Sequence, residues 1–180
     1  MKSFCFIPAK ATSTRVPKKN LRLLNGKALM GYGIETALSS GLFEEGDVVV
    51  SSESEEVLEM ARKFGAATPY VRPEYLSFDP YGIQEVLFHF LEHNPQFQTY
   101  DVAFVMLVTS PFTKAMDLHN GLEVYKNSDF EVVHSMSETD HNALRSVFLE
   151  NGYMKPIVPG YMTKQSTELD RKSTRLNSSH

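Results

Sequence analysis

Short apolar runs that alternate with helical periods constrain the fold of this chain more than any other feature of its sequence. Three runs read as buried strands, at 3–8 (SFCFIP), 47–51 (DVVVS) and 102–108 (VAFVMLV), and a weaker run lies at 130–135 (FEVVHS). Near-continuous apolar strands are typical of parallel sheets that are covered on both faces. The pattern therefore predicts an α/β fold, with a mainly parallel sheet flanked by helices.

Helical stripes fill the intervals between these strands. Apolar residues recur at three- and four-residue spacing in four groups: Met30, Ile34, Ala37 and Leu38; Val57, Leu58, Ala61 and Phe64; Val86, Leu87, Phe90 and Leu91; Leu118, Leu122 and Tyr125. Gly65 is the expected C′ residue of the second helix. Asp79-Pro80 is the expected N-cap and first residue of the third helix. Later in the chain, Asn151-Gly152 predicts a hairpin turn.

The composition limits the class of protein. A chain of 180 residues is long enough for one domain with a real core, and its net charge of −4 argues against general binding to nucleic acids or anionic membranes. The single cysteine, Cys5, excludes an internal disulfide and lies within the first apolar run. We find no apolar segment with the length of a signal peptide or a membrane span, so we predict a cytoplasmic protein.

The loop that follows the first strand is rich in cations and hydroxyl groups. It reads IPAKATSTRVPKKN over residues 7–20, with four basic side chains at Lys10, Arg15, Lys18 and Lys19. Cations and donors at the carboxyl end of a parallel strand suit the roughly four negative charges of a nucleoside triphosphate. A solvated basic loop is the alternative, and composition alone does not decide between the two. The P-loop pattern GxxxxGK[ST] is absent from the sequence.

Several segments carry a family resemblance. They are, in order along the chain, IPAKATSTRVPKKNLRLLNGKAL, DVVVSSESEEVLEMARKFGA, VRPEYLSFD and MLVTSPF. Together they resemble the acylneuraminate cytidylyltransferases, the CMP-sialic acid synthetase family, from Ser3 to about Arg145. Within that family, LVTSPFTKAMDL and KQSTELD are most similar to the pseudaminic acid cytidylyltransferases.

The resemblance implies a nucleotide-diphospho-sugar transferase fold, which is Rossmann-like, and a defined reaction. CTP and a nine-carbon 2-keto acid sugar of the sialic type would give a CMP-sugar and pyrophosphate, with Mg²⁺ as cofactor. The anomeric hydroxyl of the sugar would attack the α-phosphate, and positioning and electrostatics would supply most of the catalysis. The family holds its metal with a D-x-D pair beyond position 170, where this chain has no such pair, so no metal ligand is assigned.

The resemblance also assigns site residues. Lys10 and Lys19 match catalytic, phosphate-binding positions, with Lys10 in place of the usual arginine. The residues expected to bind the nucleotide are Ala9, Lys10, Ser13, Arg15, Lys19, Asn20, Arg72 and Asp79. The sugar is expected to contact Leu107, Thr109 and Ser110. Since enzymes for sialic acid typically have glutamine where Leu107 stands, pseudaminate or legionaminate is an alternative substrate.

Some of these residues keep a second interpretation. Asp79 also suits a helix N-cap, Arg72 a surface ion pair with Glu74, and Thr109-Ser110 a cap for the following helix. His89 and His93 are one helical turn apart, a spacing that fits either a metal site or a partly exposed helix face, and the face is favoured.

The domain prediction is one nucleotidyltransferase domain over residues 1–170, incomplete at its C-terminus, with a disordered, non-native tail over 171–180. The resemblance implies a homodimer that forms through a segment late in the fold, with 147–163 expected to be part of that segment. The rival functions are an inactive nucleotide-binding fragment that lacks the metal carboxylates, and a nucleotidyltransferase for another keto sugar.

Overall fold

A computed structural model of the chain describes residues 1–13, 15–136, 147–150 and 153–156. The chain divides into two units, residues 1–133 and 134–180. The predicted tail at 171–180 and much of the predicted dimer segment lie outside the described residues. None of the helices in the described ranges is long and apolar enough to cross a bilayer.

The first unit contains strands and helices in the predicted alternation. Its strands are β1 (Ser3–Pro8), β2 (Leu23–Leu24), β3 (Lys27–Ala28), β4 (Val48–Ser51) and β5 (Val102–Val105). Its helices are α1 (Leu29–Ser39), α2 (Glu55–Lys63), α3 (Ile83–His93) and α4 (Ala115–Lys126). Short 3-10 turns cover Lys19–Leu21, Glu74–Ser77 and Pro95–Thr99.

Three of these strands form a parallel sheet in the order β4-β1-β5. Cys5 of β1 lies opposite Val48 of β4 on one side and Phe104 of β5 on the other. The prediction of a parallel α/β sheet is therefore confirmed. Because the strands are parallel, the loops that follow β1, β4 and β5 leave the sheet at the same edge.

The sheet separates two apolar clusters. On one face, Cys5 and Ile7 of β1 pack among residues of α1 and α2. On the other face, Phe4 and Phe6 pack against α3, with the Phe6 and Phe90 rings 5.1 Å apart. Alternate residues of β1 point to opposite faces, so this central strand is buried on both, as predicted.

Strand β5 differs from the prediction. It ends at Val105, not at 108, and its residues alternate between partly buried and exposed. Phe104 packs on Phe43, whereas Val105 is 41% exposed. Val105 is exposed because of where β5 lies in the sheet. Helix α3 packs over the central strand β1, whereas β5 is the edge strand of the described sheet.

Two other expectations were wrong. Residues 130–135 form no strand, although all six are described. Asp79-Pro80 does not begin α3, which starts at Ile83 with Gly82 as its N-cap. The Gly82 N–H donates to the Glu85 carboxylate at 2.8 Å, so a side chain inside the helix caps this backbone group. By contrast, Gly65 follows α2 with φ +91°, as a C′ residue should.

Two of the three Asn-Gly dipeptides, Asn25-Gly26 and Asn151-Gly152, lie between paired antiparallel strands, whereas Asn120-Gly121 lies inside α4. In the second unit, β6 (Val147–Glu150) and β7 (Tyr153–Pro156) pair antiparallel around 151–152, which confirms the predicted hairpin. In the first unit, Asn25 (φ 49°) and Gly26 (φ 81°) join β2 to β3 in the left-handed region that a two-residue hairpin turn requires. Sequence analysis overlooked this turn, although the dipeptide is the same.

Candidate nucleotide site

The basic loop leaves β1 between the exits of two neighbouring strands. The Ala9 N–H donates to the Ser51 carbonyl at 2.9 Å, so β1 and β4 stay together to their carboxyl ends. On the other side, the Met106 N–H donates to the Phe6 carbonyl at 3.0 Å. The start of the loop is therefore fixed against both neighbours, at the sheet edge where α/β proteins bind ligands.

One carboxylate, that of Glu53, joins the loop to a distant part of the chain. Its Oε1 accepts the Ala11 N–H at 2.7 Å, and the Thr12 N–H lies farther away at 3.4 Å. Its Oε2 accepts Nη2 of Arg72 at 2.7 Å. The side chains of Arg72 and Glu53 are only 2% and 7% exposed, so this is a buried ion pair. Sequence analysis missed Glu53, whose signal was its position just after a buried strand.

The Glu53 carboxyl stays ionised in this environment. Burial raises its pKa, but hydrogen bonds from its own backbone N–H, from Ser77, from Arg72 and from Ala11 together outweigh burial and lower that pKa below its ordinary value. The negative charge of Glu53 is balanced by the adjacent guanidinium. The site therefore holds a fixed carboxylate without adding a free negative charge beside the loop.

The two ends of the loop are tied together by Asn20. Its side chain is buried, and its Nδ2 donates to the Lys10 carbonyl at 2.8 Å. Asn20 lies in the 3-10 turn Lys19–Leu21, which begins after Lys18 in the left-handed region (φ 50°). The amide nitrogen predicted to contact the nucleotide thus also closes the loop.

The four predicted cations lie in different surroundings. Lys10 is exposed, and its Nζ donates to the Ser77 carbonyl at 3.2 Å. Lys18 forms an exposed ion pair with Glu56 at 2.7 Å. Lys19 is half-buried and Arg15 is exposed. Of the remaining predicted contacts, Ala9 is buried and Ser13 is half-buried.

The segment from Arg72 to Asp79 borders this loop. Arg72 is buried with Glu53, so the alternative of a surface pair with Glu74 is wrong. Nη2 of Arg72 also donates to the Ser77 hydroxyl at 2.9 Å. Asp79 is exposed in a turn closed by the Tyr81 N–H and the Phe78 carbonyl at 3.1 Å.

Two buried polar atoms around Glu53 lack a hydrogen-bond partner among the described residues. They are Oγ1 of Thr12 and Nε of Arg72. Buried polar groups are normally paired, because an unpaired one loses its hydration without compensation.

The predicted sugar residues follow β5 at the same edge. Leu107 is 41% exposed, and Thr109 and Ser110 are exposed. The Ser110 N–H donates to the Leu107 carbonyl at 3.0 Å, which makes a local turn. The capping alternative is wrong, because α4 begins at Ala115 and its first turn is capped through Asp117.

His89 and His93 form a stacked pair on α3, with ring centroids 4.0 Å apart. Nδ1 of His89 lies 3.3 Å from the Tyr70 hydroxyl, and Nδ1 of His93 lies 2.9 Å from the His89 carbonyl. Burial and the nearby His93 lower the pKa of His89. No three metal-ligating side chains come together in the described part of the chain.

Comparisons with known proteins agree with this geometry. A sequence model described as cytidylyltransferase matches residues 4–173. A pseudaminic acid cytidylyltransferase of Campylobacter jejuni is 35% identical over 173 residues, which are 95% of this chain and 74% of that protein. An N-acylneuraminate cytidylyltransferase of Streptococcus agalactiae is 34% identical over 160 residues, which are 88% of this chain and 38% of that protein.

Two further proteins extend the comparison. A CMP-N,N'-diacetyllegionaminic acid synthase of Legionella pneumophila is 37% identical over 137 residues, which are 74% of this chain and 57% of that protein. A solved CMP:2-keto-3-deoxy-manno-octonic acid synthetase, complexed with CTP, superposes with a TM-score of 0.59 at 20% identity. The superposition covers 71% of this chain and 48% of the solved one, and it identifies the fold.

Proposed function

This chain belongs to the cytidylyltransferase family, and we propose that it transfers the cytidylyl group of CTP to a nonulosonic acid. The observation that carries the proposal is the loop from Ala9 to Asn20, which combines several cations with buried ties at the ligand-binding edge of the sheet. The relatives named above, which act on three different nonulosonic acids, support the same substrate class.

In the proposed reaction, the loop binds the triphosphate of CTP. The anomeric hydroxyl of the sugar attacks the α-phosphorus and a new P–O bond forms. The bond from the α-phosphorus to the bridging oxygen of the β-phosphate breaks, and the hydroxyl proton passes to solvent. Lys10 and Lys19 bind the phosphates and stabilise the negative charge that grows on the leaving pyrophosphate. Since hydrogen bonds at Ala11 and Asn20 restrict both ends of the loop before CTP binds, less free energy is spent on arranging the loop during the reaction.

Among nonulosonic acids, we propose a pseudaminic-type substrate. Leu107 offers an apolar side chain at the expected sugar contact, where a glutamine would offer both a hydrogen-bond donor and an acceptor. The similarity to pseudaminic acid cytidylyltransferases over 95% of the chain supports this choice. N-acylneuraminate and legionaminate are the competing substrates.

The test is pyrophosphate release from CTP with a panel of pseudaminate, legionaminate and N-acetylneuraminate. We expect Lys19→Ala to lower kcat/KM by about 10- to 100-fold, the effect of losing one charge-assisted hydrogen bond. Lys63→Ala is the matched control, because Lys63 is an exposed lysine at the end of α2. Equal activity of Lys19→Ala and the wild-type protein would contradict the proposal that Lys19 binds the phosphates.

A nucleotide-binding chain without turnover is the second candidate. In this candidate the loop from Ala9 to Asn20 binds the nucleotide, but no transfer follows. Calorimetry with CTP, UTP and GTP separates the candidates. Selective binding of CTP without pyrophosphate release from any sugar would favour this second function, whereas equal binding of all three nucleotides would contradict a site specific for CTP.

A further inference from the structure

Three separate segments meet at the Glu53 side chain. The loop after β1 reaches it through Ala11, and the segment after β4 contributes Glu53 itself. Arg72, 19 residues farther along, reaches it through Nη2. A backbone hydrogen bond also joins the segments of Glu53 and Arg72, because the Arg72 N–H donates to the Ser52 carbonyl at 2.9 Å. One carboxylate therefore links two sets of predicted nucleotide contacts that are far apart in sequence.

This link is rigid for a physical reason. Withdrawing Glu53 would leave a guanidinium that is 2% exposed without a counter-charge, which is strongly unfavourable. It would also free the Ala11 N–H, which now donates at 2.7 Å. A carboxylate with both oxygens engaged in this way holds its partners in one geometry.

The unpaired polar atoms lie on the groups that Glu53 holds. Arg72 is bound through Nη2 while its buried Nε has no partner, and Thr12 follows the tied Ala11 with a buried, unpaired Oγ1. Neither atom is satisfied by Glu53, although both belong to residues next to it. The contacts that Glu53 makes therefore leave part of the hydrogen-bonding capacity of both residues unused.

We propose that Glu53 is a positioning residue for CTP binding: it holds the start of the phosphate loop through Ala11 and, at the same time, fixes Arg72. The inference rests on the proposed function and assigns a role to a residue that the family resemblance did not single out. Glu53 acts through its neighbours and is not a catalytic residue. Its charge is already neutralised by Arg72, so it does not repel the triphosphate.

The experiment uses the full chain and two substitutions. Glu53→Gln keeps an oxygen that can accept the Ala11 N–H but removes the charge that holds Arg72, whereas Glu53→Ala removes both. Glu55→Gln and Glu55→Ala are the matched controls, because Glu55 pairs with Arg62 on the exposed surface of α2, only two positions away. The Kd for CTP is measured by calorimetry at a temperature where circular dichroism shows every variant folded, so lost stability does not enter the result.

We expect the Kd to rise by about 10- to 100-fold in Glu53→Ala and by less in Glu53→Gln, with both Glu55 variants within twofold of the wild-type protein. In an Arg72→Met background, Glu53→Gln should have little further effect, because the residue it positions is gone. An unchanged Kd in Glu53→Ala would reduce Glu53 to a structural residue. Tighter CTP binding by Glu53→Ala would mean that Glu53 competes with phosphate for the loop. If Glu53→Gln raised the Kd as much in the Arg72→Met background as in the wild-type protein, the link between Glu53 and Arg72 would be contradicted.

Hydrogen exchange of the Ala11 amide separates this inference from the proposed function. If the wild-type protein binds no CTP, the proposed function fails, but exchange still tests whether Glu53 holds the loop. We expect Ala11 to exchange at least about tenfold faster in Glu53→Ala than in Glu55→Ala, because its acceptor is lost. Equal exchange in the two variants would overturn the positioning role.

Discussion

Two loops leave neighbouring strands at the same edge of the sheet, and they are held very differently. The loop after β1 is fixed by buried side chains, Glu53 at Ala11 and Asn20 at Lys10. In the loop after β5, Leu107 to Ser110 is closed by one backbone hydrogen bond within the loop itself, and Leu107 is 41% exposed. The first loop carries the predicted nucleotide contacts and the second the predicted sugar contacts.

The difference indicates that the loop after β1 is held in place more firmly than the loop after β5 before any ligand binds. A loop whose ends are already held loses less entropy when a ligand binds, which would favour binding of the proposed nucleotide. An exposed loop with local contacts tolerates substitution, because its side chains carry little of the folding free energy. We therefore expect substitutions in the first loop to act on stability and CTP affinity, and substitutions in the second to act on sugar choice.

The largest expected effect is on the buried ion pair. Arg72→Met should lower the free energy of unfolding by about 3–5 kcal/mol, because Glu53 is left charged and buried. Arg62→Met breaks the exposed pair with Glu55 and should cost about 0–1 kcal/mol. Urea unfolding of both variants measures the two values. Equal losses would mean that the ties of the first loop are no stronger than surface pairs.

Asn20→Ala should have the next largest effect, about 1–3 kcal/mol, because the buried Asn20 amide is lost and the Lys10 carbonyl loses its donor. Asn127→Ala is the control. Asn127 donates its Nδ2 to the Glu123 carbonyl at the same distance of 2.8 Å, but at the exposed end of α4. There water replaces the lost donor, so we expect about 0.5 kcal/mol. Thermal unfolding distinguishes the two, and an Asn20→Ala loss as small as that of Asn127→Ala would contradict a buried loop closure.

Acid should weaken the first loop selectively. The folded-state pKa of Glu53 lies below its unfolded value, so its ionised form adds stability that is present above the ordinary carboxyl pKa, near 4.3. That stability is lost as the pH falls through the lowered pKa of the folded state. Each unit of lowering corresponds to about 1.4 kcal/mol. The stability difference between the wild-type protein and Glu53→Gln should therefore shrink below pH ~4, and a constant difference down to pH ~2 would contradict the assignment.

The smallest effect on folding is expected in the second loop. Leu107→Gln should change the free energy of unfolding by less than about 0.5 kcal/mol, as should Leu38→Gln, since Leu107 and Leu38 are 41% and 40% exposed. Only Leu107→Gln should shift the ratio of kcat/KM values from pseudaminate toward N-acetylneuraminate. If the ratio of kcat/KM values in the pyrophosphate assay is unchanged in Leu107→Gln, the prediction that Leu107 contacts the sugar would be contradicted.

Local patterns predicted much of the fold. The apolar run SFCFIP set the limits of β1, and the helical stripes placed the buried faces of α1 and α2, because strand and helix periods depend on neighbours a few residues away. Predictions that depended on distant neighbours failed. The exposed face of Val105 depends on which helix covers the sheet. The start of α3 was a local error of a different kind, because Glu85 caps Gly82 only three residues away.

By itself, the sequence determined the order of strands and helices, the cationic loop after β1 and the family to which the chain belongs. Only the tertiary structure decided that Arg72 pairs with Glu53 and not with Glu74, and that Asn20 closes the loop on Lys10. The reason is that parallel strands bring their carboxyl ends to one edge, where loops that are distant in sequence become neighbours. No periodicity along the chain records which side chains then meet.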